Sequence, residues 1–170
     1  MELTSQNRTV SNITSELRNY TELRATIVEG RKISGIAVPY NKTSHLIRDR
    51  ARPYRERFLK GALKIDDNVA LYISHDHRSI PLARVGAGTL SFTETEEGLM
   101  FEAILPENRT DVIEAVARGD IGGVSIGFNK IKDKWTHRRN NSPSDRVVEE
   151  AVLLELSLVA AGAYPDATIF

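Results

Sequence analysis

The sequence predicts a mainly β fold with a helical minority, an α+β domain built as a rolled sheet or β-barrel with helices on its outside. Three observations lead there. Short stretches with two-residue alternation recur along the chain, while only Thr110–Arg118 carries a clear helical stripe. Strands and helices do not alternate as parallel βαβ units would. No internal repeat and no Gly-rich phosphate loop ahead of a helix competes with this reading.

The N-terminal stretch Met1–Tyr20 is polar and weakly patterned, and residues 1–20 are expected to form a flexible arm ahead of a single domain, 21–170. Glu22–Val28 and Ile33–Val38 alternate on either side of Glu29-Gly30-Arg31-Lys32, which predicts a β-hairpin. Asn41–Arg57 gathers Arg48, Arg50, Arg52, Arg55 and Arg57 around Pro53. It reads as a solvated loop, or as a site for acidic groups on a substrate or partner. Phe58–Lys64 reads as a short helical turn. Val69, Leu71, Ile73 and His75 share one face of a strand, and Pro81–Leu90 and Leu99–Leu105 are further strands, with a turn at Glu94–Gly98. In the helix, Val112, Ile113, Val116 and Ala117 form the apolar stripe, Asp111 suits the first turn, and Gly119 suits the position just past the end. A strand over Gly123–Ile131, a polar loop over Asp133–Arg146 and a strand over Val147–Ala160 complete the chain.

Composition narrows the chemistry. Lys+Arg and Asp+Glu both number 23, so a net charge of zero gives no general attraction to nucleic acid or anionic membrane. With no cysteine, a disulfide framework, a thiol nucleophile and a thiolate zinc site are excluded. The four histidines show no regular metal-ligand spacing beyond His75-x-His77, and no cofactor is implied. There is no apolar run of membrane length and no signal-peptide core, so a soluble, cytoplasmic chain is expected.

Three residues stand out against this background. Ser125 lies in Gly123-Val124-Ser125-Ile126-Gly127, flanked on its own strand face by residues without side chains. Bare backbone on both sides lets another element pack flat, or lets a substrate approach a nucleophile. His75 ends an apolar row, either as a satisfied structural histidine or as a general base handed to a cleft by a strand end. Glu155 is a carboxylate inside the apolar strand Val152–Val159, which is costly unless it is paired. Its partner would be an arginine such as Arg84 or Arg118, or a histidine that it orients. A serine hydroxyl needs a base, and the base needs an acceptor to hold its tautomer. His75, Ser125 and Glu155 could fill those roles, although spacing alone does not bring them together.

The sequence resembles the prohead maturation proteases of tailed phages, distant relatives of the herpesvirus capsid-assembly proteases, from about Ile33 to Thr168. The resemblance is carried by Ser34-Gly35-Ile36-Ala37, Phe58-Leu59-Lys60-Gly61-Ala62-Leu63, Ser74-His75-Asp76, Pro81-Leu82-Ala83-Arg84 and Glu97-Gly98-Leu99. It continues through Arg118-Gly119-Asp120-Ile121-Gly122-Gly123-Val124-Ser125-Ile126-Gly127-Phe128 and Leu154-Glu155-Leu156-Ser157-Leu158-Val159 to Ala163-Tyr164-Pro165-Asp166-Ala167. Ser74 stands where asparagine is usual, Ala83 where glycine is, and Ile126 where an aromatic is common.

The resemblance implies a herpesvirus-protease-like fold and a serine endopeptidase domain in which His75 and Ser125 are catalytic. The third member falls on Glu155, with His137 as the weaker candidate because the herpesvirus relatives use a second histidine. Oxyanion donors would be backbone N–H groups or a water held by Arg138 or Arg139. The implied substrates are the major capsid protein and the scaffolding protein, with the protease itself as a further one. They would be cut inside the assembling prohead in the bacterial host cytoplasm. A homo-oligomer is allowed, and neither nucleic acid nor membrane is expected as a partner. The alternative is a non-catalytic assembly or scaffold-binding module of the same fold.

Overall fold

The structure, a computed structural model, describes residues 16–20, 26–28, 30–48, 52–139 and 142–160. It is mostly strand, with one α-helix among the described residues. The strands are β1 (Glu16–Tyr20), β2 (Thr26–Val28), β3 (Lys32–Pro39), β4 (Tyr54–Phe58), β5 (Leu63–Lys64), β6 (Ala70–Ile73) and β7 (Ala83–Arg84). After a 3₁₀ turn at Val85–Ala87 come β8 (Leu90–Glu94), β9 (Gly98–Ile104), the helix α1 (Thr110–Arg118), β10 (Ile121–Thr136) and β11 (Ser144–Ala160). The α+β class is as the sequence predicts. The described strands form two open sheets, however, and no barrel closes among them.

The smaller sheet has the order β2-β3-β9-β8 and is antiparallel throughout. Its β2–β3 pairing, with Ile27 opposite Ile33, is the hairpin predicted around Gly30, whose φ of 71° supplies the left-handed turn. The larger sheet runs β1-β10-β11-β6-β7, with β4 and β5 also on β11. β11 is its spine, antiparallel to β10 on one side and parallel to β4, β5 and β6 in succession on the other.

One apolar cluster joins the sheets. Ile33, Val38, Leu99 and Phe101 of the smaller sheet meet Leu71, Val124, Ile126, Phe128, Leu156 and Leu158 of the larger. The rings of Phe58 and Phe128 meet edge to face with centroids 5.1 Å apart. The helix buries Val112 and Val116 of its predicted stripe and ends at Gly119, φ 81°, as expected.

Several expectations are corrected. Residues Glu16–Tyr20, read within the arm, pair with β10, while residues 1–15 lie outside the described set. Phe58–Lys64 is not helical. It contains the end of β4, a turn at Gly61 (φ 74°) and β5. Within the arginine-rich loop, Tyr54–Phe58 is a strand with Tyr54, Glu56 and Phe58 inward and Arg55 and Arg57 outward. Arg50 lies outside the described residues. The polar loop expected over Asp133–Arg146 shrinks to the few residues between Thr136 and Ser144. Cross-strand ion pairs of Glu149 with Lys132 (2.8 Å) and Lys134 (2.5 Å) extend the ladder through charged sequence.

Candidate active site

The ladder of β10, β11 and β6 brings the singled-out residues onto one face. Ser125 is opposite Ser157 on β11, which is in turn opposite Tyr72 on β6. In the next row Gly127 is opposite Glu155, which is opposite Ala70. Residues directly opposite across a ladder share a face, so the Glu155 side chain has the two smallest kinds of neighbour beside it. Gly127 thus leaves room for a carboxylate, which gives this inner-strand glycine a physical reason. Ser125 is fully buried and lies opposite Asn19 of β1 on its other side.

His75 reaches this face by a departure from strand geometry. Continued alternation would place it with Leu71 and Ile73. Instead β6 stops at Ile73, and Ser74 (φ 49°) and His75 (φ 59°) both take the left-handed conformation. Backbone bonds from Ser74 N–H to Leu158 O (2.9 Å), Asp76 N–H to Ile73 O (3.0 Å) and His77 N–H to His75 O (3.1 Å) fix the turn. The row of apolar residues expected to include His75 therefore ends before it, and the imidazole swings to the polar face.

There the imidazole Nδ1 meets Glu155 Oε1 in a close hydrogen bond. The other carboxylate oxygen, Oε2, accepts from Ser157 Oγ–H at 2.8 Å, and Ser157 Oγ accepts the His75 backbone N–H at 3.2 Å. His77 Nε2 lies 3.5 Å from Oε2. Glu155 is 1% exposed, so these contacts are what make the burial of its carboxylate tolerable. Among the described residues no arginine pairs with Glu155. Arg118 pairs with Asp120 and Glu114, and Arg84 is exposed. With Nδ1 held by the carboxylate, His75 Nε2 is buried and, among the described residues, has no hydrogen-bond partner. That nitrogen is the one a general base would use.

His137 is elsewhere. Its Nδ1 is 3.0 Å from Ser144 Oγ and its ring stacks on Trp135, beyond the far end of β10. Ser125 and Thr136 are on the order of 30 Å apart at the rise of a strand. Arg138 belongs to that end too, paired with Asp145 at 2.8 Å, and exposed Arg139 follows it. Neither arginine stands near Ser125, so the water-holding role expected of them is withdrawn. Ser157 is the contributor that sequence reasoning missed. Its signal was its place two residues after Glu155, on the same strand face.

A cavity of about 300 Å³ opens beside the His75 turn, with Ile73, Ser74, Asp76, Ile80, Leu82 and Arg109 in its wall. Among the described residues no group of three or more histidines and carboxylates could hold a metal ion.

Comparison with known proteins identifies a family. The family model described as caudovirus prohead serine protease covers residues 19–170. No curated protein and no solved structure matches.

Proposed function

The chain belongs to the caudovirus prohead serine proteases, and we propose that Ser125 is its nucleophile, His75 its general base and Glu155 the acid that orients the base. The observation that carries this assignment is the half-buried His75–Glu155 hydrogen bond, which leaves His75 Nε2 without a hydrogen-bond partner among the described residues, beside the sheet face that holds Ser125. In the reaction, Ser125 Oγ attacks a peptide carbonyl carbon while His75 Nε2 takes the hydroxyl proton. Glu155 stabilises the imidazolium, which then gives the proton to the departing amine. Water, activated by the same imidazole, cleaves the acyl-serine ester and releases the new carboxyl terminus. Donors aimed at the oxyanion are worth about 3–4 kcal/mol each, and backbone N–H groups are the ones proposed here.

Membership of the family implies capsid-protein substrates and action in the assembling prohead within the host cell. We assign the major capsid protein, the scaffolding protein and the protease itself as the chains cut. No helix among the described residues is long and apolar enough to cross a membrane.

The complete burial of Ser125 favours a second reading, a non-catalytic assembly module, because an enclosed hydroxyl needs a conformational opening before it can meet a peptide. One experiment separates the two. The protein is co-expressed with its neighbouring capsid and scaffolding proteins, with Ser125 intact or changed to Ala, and every chain is weighed intact. Defined cleavages that vanish in Ser125→Ala, with activity down by at least about 10³-fold, establish the protease mechanism. Identical masses in both samples overturn it and leave the assembly module.

A further inference from the structure

A carboxylate can orient a histidine only if its own rotation is fixed. Glu155 shows how that is done. Its Oε1 is given to His75, and its Oε2 is approached from two directions, by the Ser157 hydroxyl at 2.8 Å and by His77 Nε2 at 3.5 Å. We propose that His77 is a positioning residue for the reaction, one that holds Oε2 so that Oε1 stays on His75 Nδ1. The inference rests on the assignment of His75 and Glu155 given above.

Several features point to a built arrangement. The His77 ring stacks on Tyr72 with centroids 5.0 Å apart and planes within 12°, and Tyr72 is the strand residue opposite Ser157. Its backbone N–H is tied to His75 O, so the turn that aims one imidazole at Glu155 aims the other as well. The acid adjacent to His77 in sequence, Asp76, is occupied by the Arg78 backbone N–H at 3.1 Å and faces the Arg78 guanidinium at 3.5 Å. His77 is therefore left to Glu155. At 3.5 Å the contact is longer than a good hydrogen bond. It acts as an oriented dipole or charge on a carboxylate that water does not reach, where such contacts are strengthened. The His77 side chain is 57% exposed, so its replacement should leave the core intact.

The test uses His77→Ala and His77→Gln in the full chain, the glutamine amide nitrogen standing in for Nε2. The first readout needs no turnover: the low-field Nδ1–H proton resonance of His75 in ¹⁵N-histidine-labelled protein, assigned by its loss in Glu155→Gln. The inference expects that resonance to broaden or disappear in His77→Ala and to persist in His77→Gln. The second readout is cleavage of a synthetic peptide spanning the site mapped by intact mass. Here kcat should fall about tenfold in His77→Ala with KM unchanged, as for a displaced supporting group, and recover to within about threefold in His77→Gln. A wild-type resonance and wild-type kcat in His77→Ala overturn the inference while leaving Ser125-dependent cleavage in place. If no Ser125-dependent cleavage exists, the mechanism itself falls, and the resonance alone decides whether His77 orders the carboxylate.

Discussion

At the scale of single residues, the site depends on two consecutive left-handed residues, Ser74 and His75. An L-residue pays roughly 1–2 kcal/mol for that conformation, here offset by the backbone hydrogen bonds that close the turn. Asparagine enters the left-handed region more readily than serine. Ser74→Asn should therefore raise stability by up to about 1 kcal/mol with cleavage unimpaired. A urea midpoint at or below that of the parent would count against the strain argument. The three residues proposed for the site could be picked out in the sequence because each breaks a local pattern: a hydroxyl between glycines, an imidazole at a strand end, a carboxylate among leucines. The turn was not legible, since neither serine nor histidine advertises a positive φ as glycine does. The role of Ser157 was hidden for another reason. A serine in a strand is ordinary until its neighbour across space is a buried acid.

At the scale of elements, β4 and the outer halves of β10 and β11 are held by buried charge. Arg146, 3% exposed at its side chain, donates to Glu56 Oε2 at 3.0 Å and to Asp133 Oδ2 at 2.8 Å, and its guanidinium lies over the Trp135 ring. This explains why sequence reading placed loops there. Tyr54, Glu56 and Phe58 alternate inward, but a glutamate on the inner face looks like a break in the pattern until its arginine, ninety residues away in the chain, is known. Thr110–Arg118 and the β2–β3 hairpin needed only local signals and were read correctly. Glu56→Ala would leave Arg146 buried with part of its pairing lost, and should cost about 3–5 kcal/mol of unfolding free energy. Changing Arg146 to Met in the same chain should recover much of that loss. A double variant as unstable as the sum of its two singles would show that the pair is not coupled.

At the scale of the whole molecule, the same network sets the response to acid. Burial works to raise the Asp133 carboxyl, but the Arg146 guanidinium and the Trp135 indole N–H outweigh it and hold it below the usual carboxylate range. Lys132 and Lys134 lower Glu149, and Arg109 lowers Asp111. These groups bind protons less readily in the folded chain than in the unfolded one. The stability they contribute is therefore present above about pH 4 and lost as pH falls through their lowered values. Asp133→Asn should lower the urea midpoint at pH 7 and flatten its decline between about pH 5 and 2. An unchanged acid slope would move the sensitivity to another carboxylate. Global topology was the least legible level. That β11 pairs with β4, β5 and β6 follows from contacts distant in sequence, which periodicity within one segment does not encode.

The parallel docking of β4, β5 and β6 along β11 has a consequence for how this gene can vary. Ser144 faces Tyr54, Ala151 faces Leu63 and Glu155 faces Ala70, so the three short strands are one strand interrupted twice, each interruption taking up residues that β11 does not match. Removing one codon between Lys64 and Ala70 would have to be absorbed within this unpaired connection; passed on to β6, it would turn each of that strand's side chains to the opposite face and carry His75 away from Glu155. Substitutions in that connection can be many, but its length helps to set the geometry of the proposed active site. Length conservation there, more than residue identity, should mark homologues that still cut.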